Sequence, residues 1–140
     1  MACVFCEIVA GTAPAVRVYE DDDYLAFLDI RPFTRGHTLV IPRGHSVDLT
    51  DTPAPVLAGL LTVGQRIARA TRASGLAATG NNVAINDGRS AFQSVFHIHL
   101  HVVPRHDGDK LSFAKGMLMR RDPDRETTGR ILRDALAVLP

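Results

Sequence analysis

Seven residues, His97-Ile98-His99-Leu100-His101-Val102-Val103, constrain this chain more than any other part of it. Imidazole and aliphatic side chains alternate strictly, and in an extended strand successive side chains point to opposite faces. Ile98, Leu100 and Val102 therefore demand a core on one side of a sheet, and the three histidines form a row on the other. Same-face neighbours lie ~6.6 Å apart, which separates His97 and His101 by ~13 Å at their Cα atoms. Metal–imidazole bonds of ~2.0–2.1 Å cannot bring both outer rings to one ion. At least one histidine must do something other than share a metal.

The remaining pattern supplies a sheet for that strand to join. Residues 4–9 read as a short helical turn that Gly11 ends in a left-handed conformation. Strands are expected over 16–20 and 24–29, joined as a hairpin by Asp21, Asp22 and Asp23, and over 38–41, closed by Pro42. Asp51 and Thr52 are candidate caps for a helix whose first turn holds Pro53. Val56, Leu57, Leu60, Leu61, Gly64, Ile67 and Ala68 then repeat at helical spacing up to Gly75. Two more strands follow, 82–86 and 94–103, with a loop over 87–92 between them. A last helix over 126–139 carries Ile131, Leu132, Ala135, Leu136 and Leu139 on one face. The mixed segment 106–124 fits no single element. Strands paired mostly in sequence order, with one long helix between the third and fourth, imply an α+β fold, an antiparallel sheet packed by helices.

With 140 residues, of which 46% are hydrophobic, the chain fits one compact domain over 1–140. A net charge of +1 without long runs of like charge argues against a nucleic-acid partner. No stretch approaches the ~20 apolar residues of a membrane span, and the first eleven residues lack an export pattern. Two cysteines cannot make a disulfide framework. A cytoplasmic setting is the expectation.

The alternating histidines resemble the motif of the histidine triad family. Further segments resemble its Hint-like branch: Phe5-Cys6-Glu7-Ile8, Leu25-Ala26-Phe27-Leu28-Asp29-Ile30, Gly36-His37-Thr38-Leu39-Val40-Ile41-Pro42, and Gln93-Ser94-Val95-Phe96. The likeness covers about residues 3–105. It implies a two-step reaction in which His99 attacks the α-phosphate of a nucleotide conjugate, an adenosine phosphoramidate or dinucleoside polyphosphate, and water cleaves the nucleotidylated imidazole. Near neutral pH much imidazole is unprotonated and nucleophilic. By the same resemblance His101 holds a phosphate oxygen and assists proton traffic. Gln93 and Ser94 contact the phosphate, Asn86 lies near ribose and phosphate, and Asp29 accepts from the ribose hydroxyls. Phe5, Ile8, Phe27 and Ile30 match base-pocket positions, His37 a strand-packing position, and the family's homodimer is expected here. In two places the chain departs from the pattern: Phe92 stands where the family often has glycine, and the tryptophan near the end of some relatives is absent. The rival functions are a non-catalytic zinc- and nucleotide-binding module and a metal-dependent hydrolase.

Cys3 and Cys6 form a CxxC. A redox pair of that spacing normally follows a strand, and no room for one exists before Cys3. Zinc is the better reading, and a closed structural site needs two more ligands. The resemblance supplies them as His45 and His97, with zinc structural and His97 reserved as its ligand in addition to its place in the catalytic row.

Overall fold

The computed structural model describes residues 2–140. Helix α1 (Val4–Ala10) ends at Gly11, whose φ of 80° is the expected left-handed cap. Strands β1 (Arg17–Glu20), β2 (Tyr24–Leu28), β3 (Thr38–Pro42), β4 (Gly80–Ala84) and β5 (Leu100–Arg105) form one antiparallel sheet in the order β1-β2-β3-β5-β4. The first three pair in sequence order, while β5 inserts between β3 and β4.

The sheet is covered on both faces, so β2 and β3 are apolar along nearly their whole length. Ala26, Leu28, Val40, Leu100 and Val102 pack beneath α2 (Ala54–Ala73) and α4 (Arg125–Val138). Gly64 lets α2 lie directly on Leu100, where a Cβ would collide with the leucine side chain. The opposite side chains, Leu25, Phe27, Leu39 and Ile41, pack with Phe5 and Ile8 of α1. The α4 stripe falls as expected, with Leu132 and Leu136 buried and Ile131, Ala135 and Leu139 packed against the same core.

Several boundaries move for identifiable reasons. Asp51 and Thr52 do not cap α2. Asp51 accepts from the Val47 amide and Thr52 donates to the Asp48 carbonyl, and Pro53 occupies the N-cap position itself. The fourth strand runs Gly80–Ala84 instead of 82–86, which leaves Asn86 in the loop. The expected strand over 94–103 begins only at Leu100, because Ile98 donates to the Ser46 carbonyl in a loop and Gln93 ties the preceding turn to Val47. Segment 106–124 contains a helix, α3 (Lys110–Met119), with no buried residue. Among the described residues no helix is long and apolar enough to cross a membrane.

Candidate active site

The late start of β5 divides the histidine row. His101 lies in the ladder, opposite Leu39 on β3 and Ala84 on β4. His99 precedes the strand, with its ring centroid 5.0 Å from that of His101. His97 turns away toward α1 and the loop after β3, its ring 5.0 Å from that of His45. Phe5 of α1 meets His99, His97 and Phe27 edge-on at 5.2, 5.9 and 5.3 Å, which seats the short helix over the row.

Hydrogen bonds assign the protons on these rings. His99 Nδ1 lies 2.8 Å from the carbonyl oxygen of His97, which can only accept, so Nδ1 carries the hydrogen. The neutral ring then presents an unprotonated Nε2. Burial holds the His99 pKa below its usual value, against the opposing effects of the His97 carbonyl and the Asp29 carboxylate. At neutral pH that nitrogen is a free lone pair.

A second chain of bonds fixes His101. The Phe33 amide donates to His37 Nδ1 at 3.0 Å, so the His37 hydrogen is on Nε2. From there it donates to His101 Nδ1 at 2.9 Å, which places the His101 hydrogen on Nε2. Among the described residues, His101 Nε2 is the only buried side-chain nitrogen or oxygen without a hydrogen-bond partner. A buried donor without an acceptor is costly, and a ligand oxygen would satisfy it. Desolvation pushes His37 down to about 3 and His101 down to about 4, so both rings are neutral near pH 7.

His37 therefore does more than pack against a strand. It is fully buried, stacked on Phe33 at 5.2 Å and bonded to His101, with Asp29 Oδ2 3.6 Å from its Nε2. Its place before a buried strand, two residues after a loop arginine, gave no sign of a partner 64 residues away. Arg120, whose guanidinium carbon lies 4.3 Å over the Phe33 ring, was equally invisible because it comes from the unassigned segment.

The nucleotide candidates separate into groups. Phe5, Ile8 and Phe27 meet in one buried cluster, whereas Ile30 is 68% exposed and outside it. Asp29 Oδ1 accepts from the Arg31 amide. The Ser94 hydroxyl and the Asn86 amide make no hydrogen bond among the described residues, which leaves them free for a ligand. Gln93 is not free in that way. Its Oε1 accepts from Gly88, and its Nε2 donates to the carbonyls of Val47 and Val95, so both amide hydrogens are used inside the loop. The side chain expected at the phosphate is a brace.

Cys3, Cys6, His45 and His97 come together as one donor set. The Cys3 Sγ to His97 Nδ1 distance is 3.6 Å, Cys6 Sγ lies 3.4 Å from His45 Nδ1 and 3.5 Å from His97 Nδ1, and the two imidazole nitrogens are 3.3 Å apart. A tetrahedral ion with thiolate and imidazole ligands requires edges of about 3.5 Å between sulfur and nitrogen and about 3.3 Å between nitrogens. The donors fit such an ion. His97 Nε2 donates to the Pro42 carbonyl at 2.8 Å, which turns the Nδ1 lone pair into the cluster. His106, assigned no role, donates from Nε2 to the Leu76 carbonyl.

The HIT domain family model matches residues 10–108. An uncharacterized HIT-like protein of Mycobacterium tuberculosis is 69% identical over 137 residues, which span 98% of this chain and 94% of that protein. The adenosine 5'-monophosphoramidase of Saccharomyces cerevisiae is 33% identical over 138 residues, or 99% of this chain and 83% of that one. A zinc-bound histidine triad family protein from Mycobacterium smegmatis has a similar structure, with a TM-score of 0.91 and 70% identity over 98% of this chain and 94% of that chain.

Proposed function

This chain belongs to the HIT (histidine triad) family, and on that premise we propose that it is a nucleotide hydrolase or nucleotidyl transferase whose His99 attacks the α-phosphate of an adenosine phosphoramidate or dinucleoside polyphosphate. The observation that carries this reading is the paired proton assignment: a free lone pair on His99 Nε2 beside a buried, unpartnered N–H on His101 Nε2. One is a nucleophile and the other an electrophilic contact, and a phosphoryl group needs both.

In the first step the His99 Nε2 lone pair forms a bond to phosphorus. The bond from phosphorus to the leaving group breaks, its electron pair stays on the leaving atom, and that atom takes its proton from solvent, while the hydrogen of His101 Nε2 stays on the ring and bonds a phosphate oxygen. The nucleotidylated ring keeps its Nδ1 hydrogen on the His97 carbonyl, and its positive charge faces the Asp29 carboxylate. In the second step water attacks phosphorus, gives a proton to solvent and releases His99 with its lone pair. Asp29 Oδ2 receives a ribose hydroxyl, Ser94 and Asn86 contact the phosphate and ribose, and Phe5, Ile8 and Phe27 back the base. We place zinc in the Cys3, Cys6, His45 and His97 site, a reading supported by the fit of the four donors and by the zinc-bound M. smegmatis relative. With these four residues filling a tetrahedral shell, the ion would tie α1 to the start of the histidine segment and would supply no open position for water. A homodimer in the reducing cytoplasm fits the family and the two free thiols.

Rapid denaturation during turnover tests the central claim. Wild-type protein mixed with an α-labelled adenosine phosphoramidate will retain AMP on His99, and His99→Gly will retain none while still binding AMP. Undiminished turnover by His99→Gly would sink the assignment.

A further inference from the structure

Phe92 is the least economical residue of the loop between β4 and β5. Its φ of 72° and ψ of 20° are left-handed, a conformation that costs a bulky L-residue ~1–2 kcal/mol. Burial does not repay that cost, for the side chain is 87% exposed. The loop is nonetheless held firmly. Gly88 and Gln93 exchange backbone and side-chain hydrogen bonds, and Gln93 is tied to the Val47 and Val95 carbonyls. An aromatic ring is thus fixed in solvent on a strained backbone, and the fold itself gains nothing from it. Strain of this kind persists where a site uses it.

The sheet order says which side of the site this is. Ala84 of β4 pairs with His101 at the end of the ladder, and the chain passes from there through Asn86 into the loop that carries Phe92. Asp29 lies at the end of β2, across β3 from β5. A nucleotide with its ribose on Asp29 and its phosphorus at His99 directs its other substituent away from β2, toward the β4 side, from which the loop carrying Phe92 departs. Resting on the reading of His99 given above, we propose that Phe92 is a specificity platform that stacks on an aromatic or flat apolar group carried by the leaving half of the substrate.

The test uses two adenosine 5'-phosphoramidates, one releasing an indolyl-ethylamine and one releasing propylamine, with wild-type, Phe92→Gly and Phe92→Leu proteins. Stacking of an aromatic pair corresponds to roughly three- to tenfold in kcat/KM. The wild type should favour the indolyl conjugate, and both variants should lower the ratio between the two conjugates by that factor. Phe92→Gly, which relieves the left-handed backbone, should fold with a melting temperature no lower than wild type. An unchanged ratio overturns the proposal, and so does a change of oligomeric state in Phe92→Gly, which would make the ring a protein contact. If wild-type protein turns over neither conjugate, the reading of His99 fails on its own. Equilibrium binding of the same conjugates to His99→Gly, with and without Phe92→Gly, then decides the platform by the same ratio.

Discussion

Replacing His37 by leucine removes the hydrogen that fixes the His101 tautomer while keeping an apolar side chain in a fully buried position. The lost bond, 2.9 Å long, is worth ~0.5–1.5 kcal/mol net, and the His101 Nδ1 acceptor it leaves behind costs a further ~1–3 kcal/mol while buried. His101 can recover part of that only by turning or by moving its hydrogen to Nδ1, and both remove the donor from phosphorus. A positioned hydrogen-bond donor to the charge that develops in the transition state is worth ~10²–10³ in rate, so a partial loss of alignment should lower kcat by roughly ten- to a hundredfold, with KM changed little. His37→Gln, whose amide can donate to the same nitrogen, should recover much of the loss. Long-range nitrogen NMR of the imidazoles reads the tautomer directly, and wild-type His101 should carry its hydrogen on Nε2. A hydrogen on Nδ1 there, or a leucine variant within twofold of wild-type kcat, would refute the reasoning.

The same substitution has a signature in stability. Burial drops the His37 pKa from its ordinary 6.5 to about 3, so the unfolded chain takes up a proton on this ring at a higher pH than the folded one does. Its contribution is fully present above pH 6.5 and is lost as pH falls toward 3, by at most about 5 kcal/mol. His37→Leu should flatten the fall of melting temperature between pH 6.5 and 4. The slope will not vanish, because His97, His99 and His101 are depressed in the same direction.

Asp29→Asn should weaken AMP binding by one to a few kcal/mol, about the value of a charged acceptor, and should weaken a 2',3'-dideoxy nucleotide much less; equal losses in calorimetry would separate Asp29 from the ribose. Cys3→Ser/Cys6→Ser should abolish metal content, near one zinc per chain in the parent, and should lower the melting temperature far more than the cold-temperature rate. The reverse pattern would make the metal catalytic. Because protonation of His99 Nε2 removes the nucleophile, kcat/KM should stay level through neutral pH and decline only below the ordinary histidine range; an acid limb centred above pH 6.5 would contradict a buried His99.

Elements with their own hydrophobic period were legible in the sequence, and elements fixed by distant partners were not. The α4 stripe and the buried runs of β2 and β3 declare themselves within a few residues. Helix α3 has apolar residues on every side and buries none, so no period marks it. The exchange of β4 and β5 in the sheet is a pairing across the long α2 crossover, a contact that local pattern does not encode. Polar side chains are harder still. Gln93 beside Ser94 reads as a pair of phosphate contacts, yet the amide is consumed by three loop partners that only the fold brings within reach.

The histidine row is the sharpest instance. Alternation placed three imidazoles on one face, and the distance argument required that they not share one ion; both statements survive in altered form. What alternation could not show is that the ladder stops at Leu100, which frees His97 to rotate its ring toward Cys3, Cys6 and His45 while its own carbonyl receives His99 Nδ1. Had the strand run on through His97, that carbonyl would point along the ladder toward a neighbouring strand, as in any antiparallel pair, and His99 would lose the acceptor that sets its tautomer. One residue therefore holds two sites by different groups, its ring in the thiol cluster and its main chain on His99. His97→Gln should keep the carbonyl and lose the proposed zinc, and its kcat at low temperature should fall only as far as that backbone loosens; loss of all turnover in a folded variant would contradict the structural role proposed for the metal.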